Sequence, residues 1–212
     1  AWRGHDVEVR SISVGERIEP GEHDLLYVGG GQDREQALVA EDLAGKASGV
    51  LDAVAGGAAL LAVCGGYQLL GRSYRDLQGN ELPGIGLFPL DTVAGEKRMI
   101  GDVLLDCELE PGERHTLAGF ENHAGRTYLG AGAAPLGRVL KGNGNNGSDG
   151  IEGVRGGPHG TVIGTYMHGP LLPKNTAFAD WLVAECTRLA PPAGAHALRA
   201  CRGSRPLRPR RA

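Results

Sequence analysis

A chain of 212 residues, 41% hydrophobic and carrying a net charge of −3, holds enough apolar mass for one domain with appendages and gives no global case for binding nucleic acid or an anionic membrane. Its four cysteines (Cys64, Cys107, Cys186 and Cys201) have no regular spacing and no CxxC pair, which argues against a disulfide framework or a zinc site and fits a reducing cytosol. No apolar run approaches the roughly 20 residues of a membrane span, and no signal peptide is visible.

The opening, Ala1-Trp2-Arg3-Gly4-His5, reads as the end of a helix that starts upstream, with Gly4 as its C-cap. Residues 7–12 alternate and predict a strand; residues 16–24, polar around Pro20-Gly21, predict a loop. Residues 25–28 are a short apolar run without alternation, the pattern of a buried parallel strand. Gly29, Gly30 and Gly31 follow it, so backbone N–H groups there can approach a ligand closely, and Asp33 can cap the next helix. That helix is expected over about residues 34–54, with Gly45 and Gly49 as points of interruption. Residues 58–63 predict a second buried strand, and residues 67–70 take helical spacing. The order strand, strand, helix, strand, helix predicts an open, mostly parallel α/β sheet with sites beyond the carboxyl ends of its strands.

The second half changes character. Short strands are expected at residues 87–93, 99–105, 118–120, 136–140, 151–154 and 161–166, and one helix at 175–189 with Phe178, Trp181, Leu182 and Cys186 on a common face. Pro191-Pro192 ends that helix. Residues 1–190 therefore read as the domain, and residues 191–212, with six arginines and no acidic residue after 193, as a basic, disordered tail. No aromatic residue interleaves those charges for base stacking.

Cys64 sits where the second buried strand meets Gly65-Gly66 and a helix. Strand, sharp turn, helix is the geometry of a nucleophile elbow, which holds a reactive side chain exposed at the tip of a strained turn. Small residues must flank it because two backbones crowd there, and Ala62 and Gly66 meet that need. The N–H groups at the start of the helix favour a thiolate and can stabilise an oxyanion. The alternative for any cysteine is a buried, inert thiol. A nucleophile also wants a base within reach. Of the seven histidines, His168 lies just past the strand at 161–166, on the same rim as Cys64. His123 is the rival, as a substrate-positioning residue; the others sit in polar, turn-rich or tail segments.

Cys64-Gly65-Gly66-Tyr67-Gln68, with His168 after a late strand, resembles the triad class of glutamine amidotransferase domains. The segment G-T-Y-M-H-G-P at 164–170 is similar to the cobyric-acid-synthase-like branch of that class. The blocks at 29–36, 119–126, 142–147 and 169–175 resemble the GatD family, the glutaminase subunits of lipid II isoglutaminyl synthases, and the likeness runs from about residue 2 to 189. The resemblance implies a class I amidotransferase (flavodoxin-like) fold, a three-layer α/β sandwich whose N-terminal strand this chain lacks. It also implies glutamine hydrolysis, with Cys64 as nucleophile and His168 as general acid and base. Backbone N–H groups of Gly30, Gly31 and Gly65 would form the oxyanion hole, and Arg98, Gln68, Asn122 and His123 would contact substrate. It implies no metal or cofactor in this chain. The ammonia would pass to a MurT-like subunit of the Mur ligase family, which uses ATP and Mg and through which lipid II is reached. One departure stands out: many triad amidotransferases have a carboxylate two residues after the histidine, and here that position is Pro170. The orienting group is then expected from Glu121, Glu152, a water or an acidic residue of the partner. The competing readings are a corrin-ring amidating enzyme, a cysteine-dependent hydrolase, and a non-catalytic interaction module on the same fold.

Overall fold

The computed structural model describes residues 4–31, 33–189 and 198–202. The helix end read at residues 1–3 and most of the basic tail lie outside this range. In chain order the elements begin β1 (Val7–Ser11), β2 (Leu25–Val28), α1 (Asp33–Gly45), α2 (Ala47–Ala55), β3 (Ala59–Val63) and α3 (Gly65–Leu69). They continue β4 (Ser73–Arg75), β5 (Glu81–Pro83), β6 (Leu90–Glu110), β7 (Glu113–Leu129), β8 (Gly137–Lys141), β9 (Ile151–Glu152), β10 (Val154–Gly156) and β11 (Val162–Thr165). The chain closes with α4 (Leu171–Lys174), α5 (Thr176–Leu189) and β12 (Leu198–Arg202).

Two sheets form. The first has strand order β1-β12-β2-β3-β11-β10 and is parallel except for β10, which runs antiparallel to β11. Strand β3 explains its centre: all five residues are buried, and alternate side chains feed opposite cores. Leu60 and Ala62 pack with Val50, Val54 and Tyr67 from α2 and α3. Ala59, Leu61 and Val63 pack with Phe178, Trp181 and Leu182 from α5. Helices therefore cover both faces, as the continuous apolar run at residues 58–63 predicts. Each fully buried Leu or Phe in these cores contributes about 1.5–3 kcal/mol.

The expected single helix over 34–54 is two. The break falls at Lys46, whose ammonium donates to the Ser13 carbonyl (2.9 Å) and pairs with Asp42. Asp42 also accepts from the Gly15 amide (2.8 Å), so the loop after β1 is tied to the break. Gly49 lets that loop lie on α2: a Cβ there would stand 2.5 Å from the Ile18 carbonyl oxygen.

The second sheet, order β5-β4-β6-β8-β9 with β7 on β6, was legible only in fragments. The short strands expected at 87–93 and 99–105 are parts of one 21-residue strand, β6, and the one at 118–120 lies inside the 17-residue β7. The ladder bridges the segment read as a loop by bulging: Ala94 pairs Gly125 and the next pair is Met99 with His123, so residues 95–98 oppose Ala124 alone. Charged residues on the exposed positions break the apolar signal that periodicity would need.

Residues 198–202, inside the stretch expected as a tail, form β12 between β1 and β2. Here the structure differs from the sequence reading, because a strand paired between two others takes its ladder partners from distant residues (Val7↔Leu198 and Leu25↔Ala200) that a local pattern cannot show. Among the described residues, no helix is long and apolar enough to cross a membrane.

Candidate active site

Cys64 ends β3 and precedes α3 with φ 54° and ψ −111°, the one non-glycine residue with positive φ among those described. Such a backbone costs about 1–3 kcal/mol and persists only where neighbours enforce it. Here the Cys64 amide donates to the Thr165 carbonyl (2.9 Å) and its carbonyl accepts from the Gln68 amide (3.0 Å). Gly66 permits the turn: a Cβ there would lie 2.5 Å from the Val28 carbonyl oxygen. The elbow read from the sequence is thus present, although α3 spans only five residues, too few for the dipole of a long helix.

Gly30, at the end of β2, abuts the elbow; a Cβ on it would stand 3.0 Å from Cys64 Cβ and 3.7 Å from Sγ. Gly31 has open space around it, and Gly65 is buried at the start of α3. Gly30 and Gly65 therefore adjoin Cys64 from two sides, and Gly31 makes no such close approach.

His168 follows β11, the strand beside β3, whose registers match Val63 with Thr165. Both residues accordingly leave adjacent parallel strands at the same end of the sheet. A bridge with Phe120 of β7 holds His168: its amide donates to the Phe120 carbonyl (2.7 Å), and Nδ1 lies 3.2 Å from the same oxygen. Nδ1–H must be the donor to a carbonyl, which leaves Nε2 as the basic nitrogen. Burial holds the imidazole pKa below its ordinary value; the Phe120 carbonyl opposes this, and the neighbouring His123 and Arg98 add to it.

Arg98 stands in the β6 bulge, exposed, with Nε and a terminal nitrogen both donating to Asn122, at Oδ1 and at the backbone carbonyl (2.9 Å each). Asn122 thus holds Arg98 in place. Gln68 is buried and donates from Nε2 to the Tyr166 hydroxyl (3.1 Å), so it is not the exposed helical residue that spacing alone allows. His123 is 1% exposed, stacked on the Tyr166 ring at 3.5 Å, with Nδ1 donating to the Gly125 carbonyl (2.8 Å). It supports the site from behind a tyrosine.

A family model for the CobB/CobQ-like glutamine amidotransferase domain matches residues 3–176. The chain belongs to this family. The amidotransferase is 39% identical over 187 residues to the lipid II isoglutaminyl synthase (glutamine-hydrolyzing) subunit GatD of Staphylococcus aureus, a match covering 88% of this chain and 73% of that one. It is 38% identical over 181 residues to the subunit GatD of Streptococcus pneumoniae, covering 85% and 67%. A cobyric acid synthase from Pelotomaculum thermopropionicum is 38% identical over 176 residues, but the match covers only 32% of that protein. Among solved structures, a crystal structure of a glutamine amidotransferase superposes with a TM-score of 0.54 at 19% identity, covering 77% of this chain and 79% of the other. PurLQS from Thermotoga maritima superposes with a TM-score of 0.57 at 17% identity, covering 80% and 81%. At those identities the superpositions show the fold.

Pro170 leaves the amidotransferase without the usual acid after its histidine, and no carboxylate pairs with His168 among the described residues; the Phe120 carbonyl takes that place. Glu121 is spent on the 142–147 loop, accepting from the Asn143 amide (2.8 Å), the Asn143 side chain (2.6 Å) and the Gly144 amide (3.0 Å). Burial alone would raise its pKa, but His123 and these donors hold it below the ordinary carboxylate value. Sequence reasoning missed Tyr166, which organises the interior. Its hydroxyl joins Gln68 and Thr127 (2.7 Å), Thr127 joins Thr92 (2.8 Å), and its ring lies between Tyr67 and His123. The signal was there, a tyrosine two residues before the histidine in an otherwise apolar strand end. Tyr166→Phe should cost about 1–3 kcal/mol, because it strands buried polar groups on Gln68 and Thr127; chemical denaturation measures it.

Proposed function

We propose that this chain is the glutamine-hydrolysing subunit of a lipid II isoglutaminyl synthase. The observation that carries the reading is Cys64 at a positive-φ elbow on β3, with His168 leaving the adjacent strand β11 at the same end of the sheet. His168 Nε2 takes the Cys64 thiol proton as Sγ attacks the side-chain amide carbon of L-glutamine. The resulting oxyanion is held by N–H groups of Gly65 and the Gly30–Gly31 turn, aimed at where charge develops. His168 gives a proton to the amide nitrogen, the C–N bond breaks, and ammonia leaves. Water, deprotonated by His168, then attacks the γ-glutamyl thioester; the C–S bond breaks, glutamate is released, and the His168 proton returns to the Cys64 sulfur. Arg98, fixed by Asn122, grips the substrate carboxylate with a planar fork. Arg98→Lys is expected to raise KM for glutamine about tenfold with little change in kcat, as loss of uniform binding does; steady-state ammonia release measures both.

The ammonia goes to a MurT-like synthetase of the Mur ligase family. That partner uses ATP and Mg to amidate the α-carboxylate of D-glutamate in the lipid II stem peptide to D-isoglutamine, and this chain needs no cofactor of its own. The two GatD relatives are covered over 73% and 67% of their length, against 32% for the cobyric acid synthase, which favours a separate glutaminase subunit over a corrin-amidating enzyme. A cytoplasmic setting accords with the cysteine usage and with an ATP-using partner. Co-purification with the Mur-ligase-like partner tests the reading: glutamine-dependent amidation of lipid II is expected, with glutamine hydrolysis slow alone and faster in the complex. No amidation, and a rate indifferent to the partner, would refute it.

A further inference from the structure

We propose that Glu152 is a positioning residue that sets Cys64 and His168 relative to each other; the proposal rests on reading those two as nucleophile and base. Glu152 ends β9 and is 1% exposed. Its Oε1 accepts two hydrogen bonds at once, from the Thr165 hydroxyl (2.7 Å) and the Tyr166 amide (2.7 Å). These are the last residue of β11 and the first beyond it. The Thr165 carbonyl accepts from the Cys64 amide (2.9 Å), and the Thr165 hydroxyl accepts from the Met167 amide (3.0 Å), immediately before His168. One carboxyl oxygen thus grips the peptide from which one hydrogen bond leads to the nucleophile and a three-residue path leads to the base.

The grip is itself braced. Gly153, next to Glu152, donates to Asn145 Oδ1 (2.8 Å) and accepts from Asn145 Nδ2 (3.1 Å). The same Oδ1 accepts from the Tyr67 hydroxyl (3.1 Å), three residues after Cys64. Elbow and histidine strand are therefore joined twice, directly between Cys64 and Thr165 and again through residues 145–153. A carboxyl group is an unfavourable choice for a plain structural acceptor at this depth, because burial without a paired cation penalises its charged form. No cation pairs with Glu152 among the described residues, and Oε2 is buried without a hydrogen-bond partner. Burial raises the Glu152 pKa, and the Thr165 and Tyr166 donors and His123 oppose that shift. A glutamine would supply the same acceptor; a leucine would not.

The full chain, as wild type and as Glu152→Leu, Glu152→Gln, Thr165→Val and Cys64→Ala, is assayed for kcat and KM with glutamine. Cys64 alkylation by a glutamine chloroketone is timed alongside, and near-UV circular dichroism reports folding. Glu152→Leu is expected to lower kcat about 10- to 100-fold, the size of effect that roughly 1 Å of misplacement produces. KM should stay within about threefold and alkylation should slow in step. Glu152→Gln should restore kcat to within about fivefold of wild type, and Thr165→Val, which loses only the hydroxyl arm, should fall between. A folded Glu152→Leu with wild-type kcat overturns the proposal, as does equal impairment of the Leu and Gln variants. If Glu152→Leu does not fold, Thr165→Val decides: lowered kcat at unchanged KM supports the proposal and wild-type kcat overturns it. Hydrolysis surviving in Cys64→Ala would instead overturn the reading of the site.

Discussion

Cys64→Ala is expected to abolish glutamine hydrolysis, by about 10⁴-fold or more, because removing the attacking atom removes the covalent route and leaves only binding and the oxyanion donors. Ammonia release by the purified chain, compared at saturating glutamine, measures it; retention of more than a few per cent of the wild-type rate would remove Cys64 from the mechanism. The same position makes a second, opposite prediction for stability. Cys64 holds φ 54°, in the region L-residues avoid, while its amide and carbonyl are committed to Thr165 and Gln68. Ala keeps that strain and Gly does not, so Cys64→Gly should be more stable than Cys64→Ala by about 1 kcal/mol despite being equally inactive. Equilibrium unfolding in urea resolves such a difference. An Ala variant as stable as the Gly variant would mean the turn is not strained by its side chain.

His168→Asn comes next in size. Loss of general acid and base catalysis is expected to lower kcat about 10²- to 10⁴-fold, with KM for glutamine nearly unchanged. The pH profile carries more detail. Burial disfavours the imidazolium of His168, and the neighbouring His123 and Arg98 disfavour it further, while the Phe120 carbonyl works the other way. The net shift is downward, so on acidification Nε2 remains a free base past the point where an ordinary histidine protonates. The acid limb of kcat/KM should therefore have its midpoint below about 6.5. An acidic residue docked by the partner against His168 would stabilise the imidazolium and move that limb to higher pH in the complex. A midpoint above 6.5 in the isolated chain would contradict the buried setting of the ring.

Features fixed by consecutive residues are the ones legible in the sequence. Residues 25–28 and the run ending at Val63 are apolar without alternation because parallel strands covered on both faces tolerate nothing else, and both strands lie where expected. Cys64 with Gly65-Gly66 announced the elbow because only small residues pass there. The α5 face of Phe178, Trp181, Leu182 and Cys186 was legible for the same reason, being a period of one helix against one core. The long β6–β7 ribbon was not, since its exposed positions are charged and its bulge mimics a loop.

What the sequence alone determined is the pair proposed as nucleophile and base and the sheet that carries it, because a strand-turn-helix elbow and a histidine past a buried strand are written in consecutive residues. Which groups serve that pair was decided only by the tertiary structure. The Phe120 carbonyl on His168, Asn122 beneath Arg98, Tyr166 over His123 and Glu152 beneath Thr165 are contacts between residues 13 to 48 positions apart, or more than that through the Tyr67–Asn145 link. Backbone carbonyls and buried polar partners leave no periodicity in a chain; they acquire their roles when folding brings separate strands within hydrogen-bond distance.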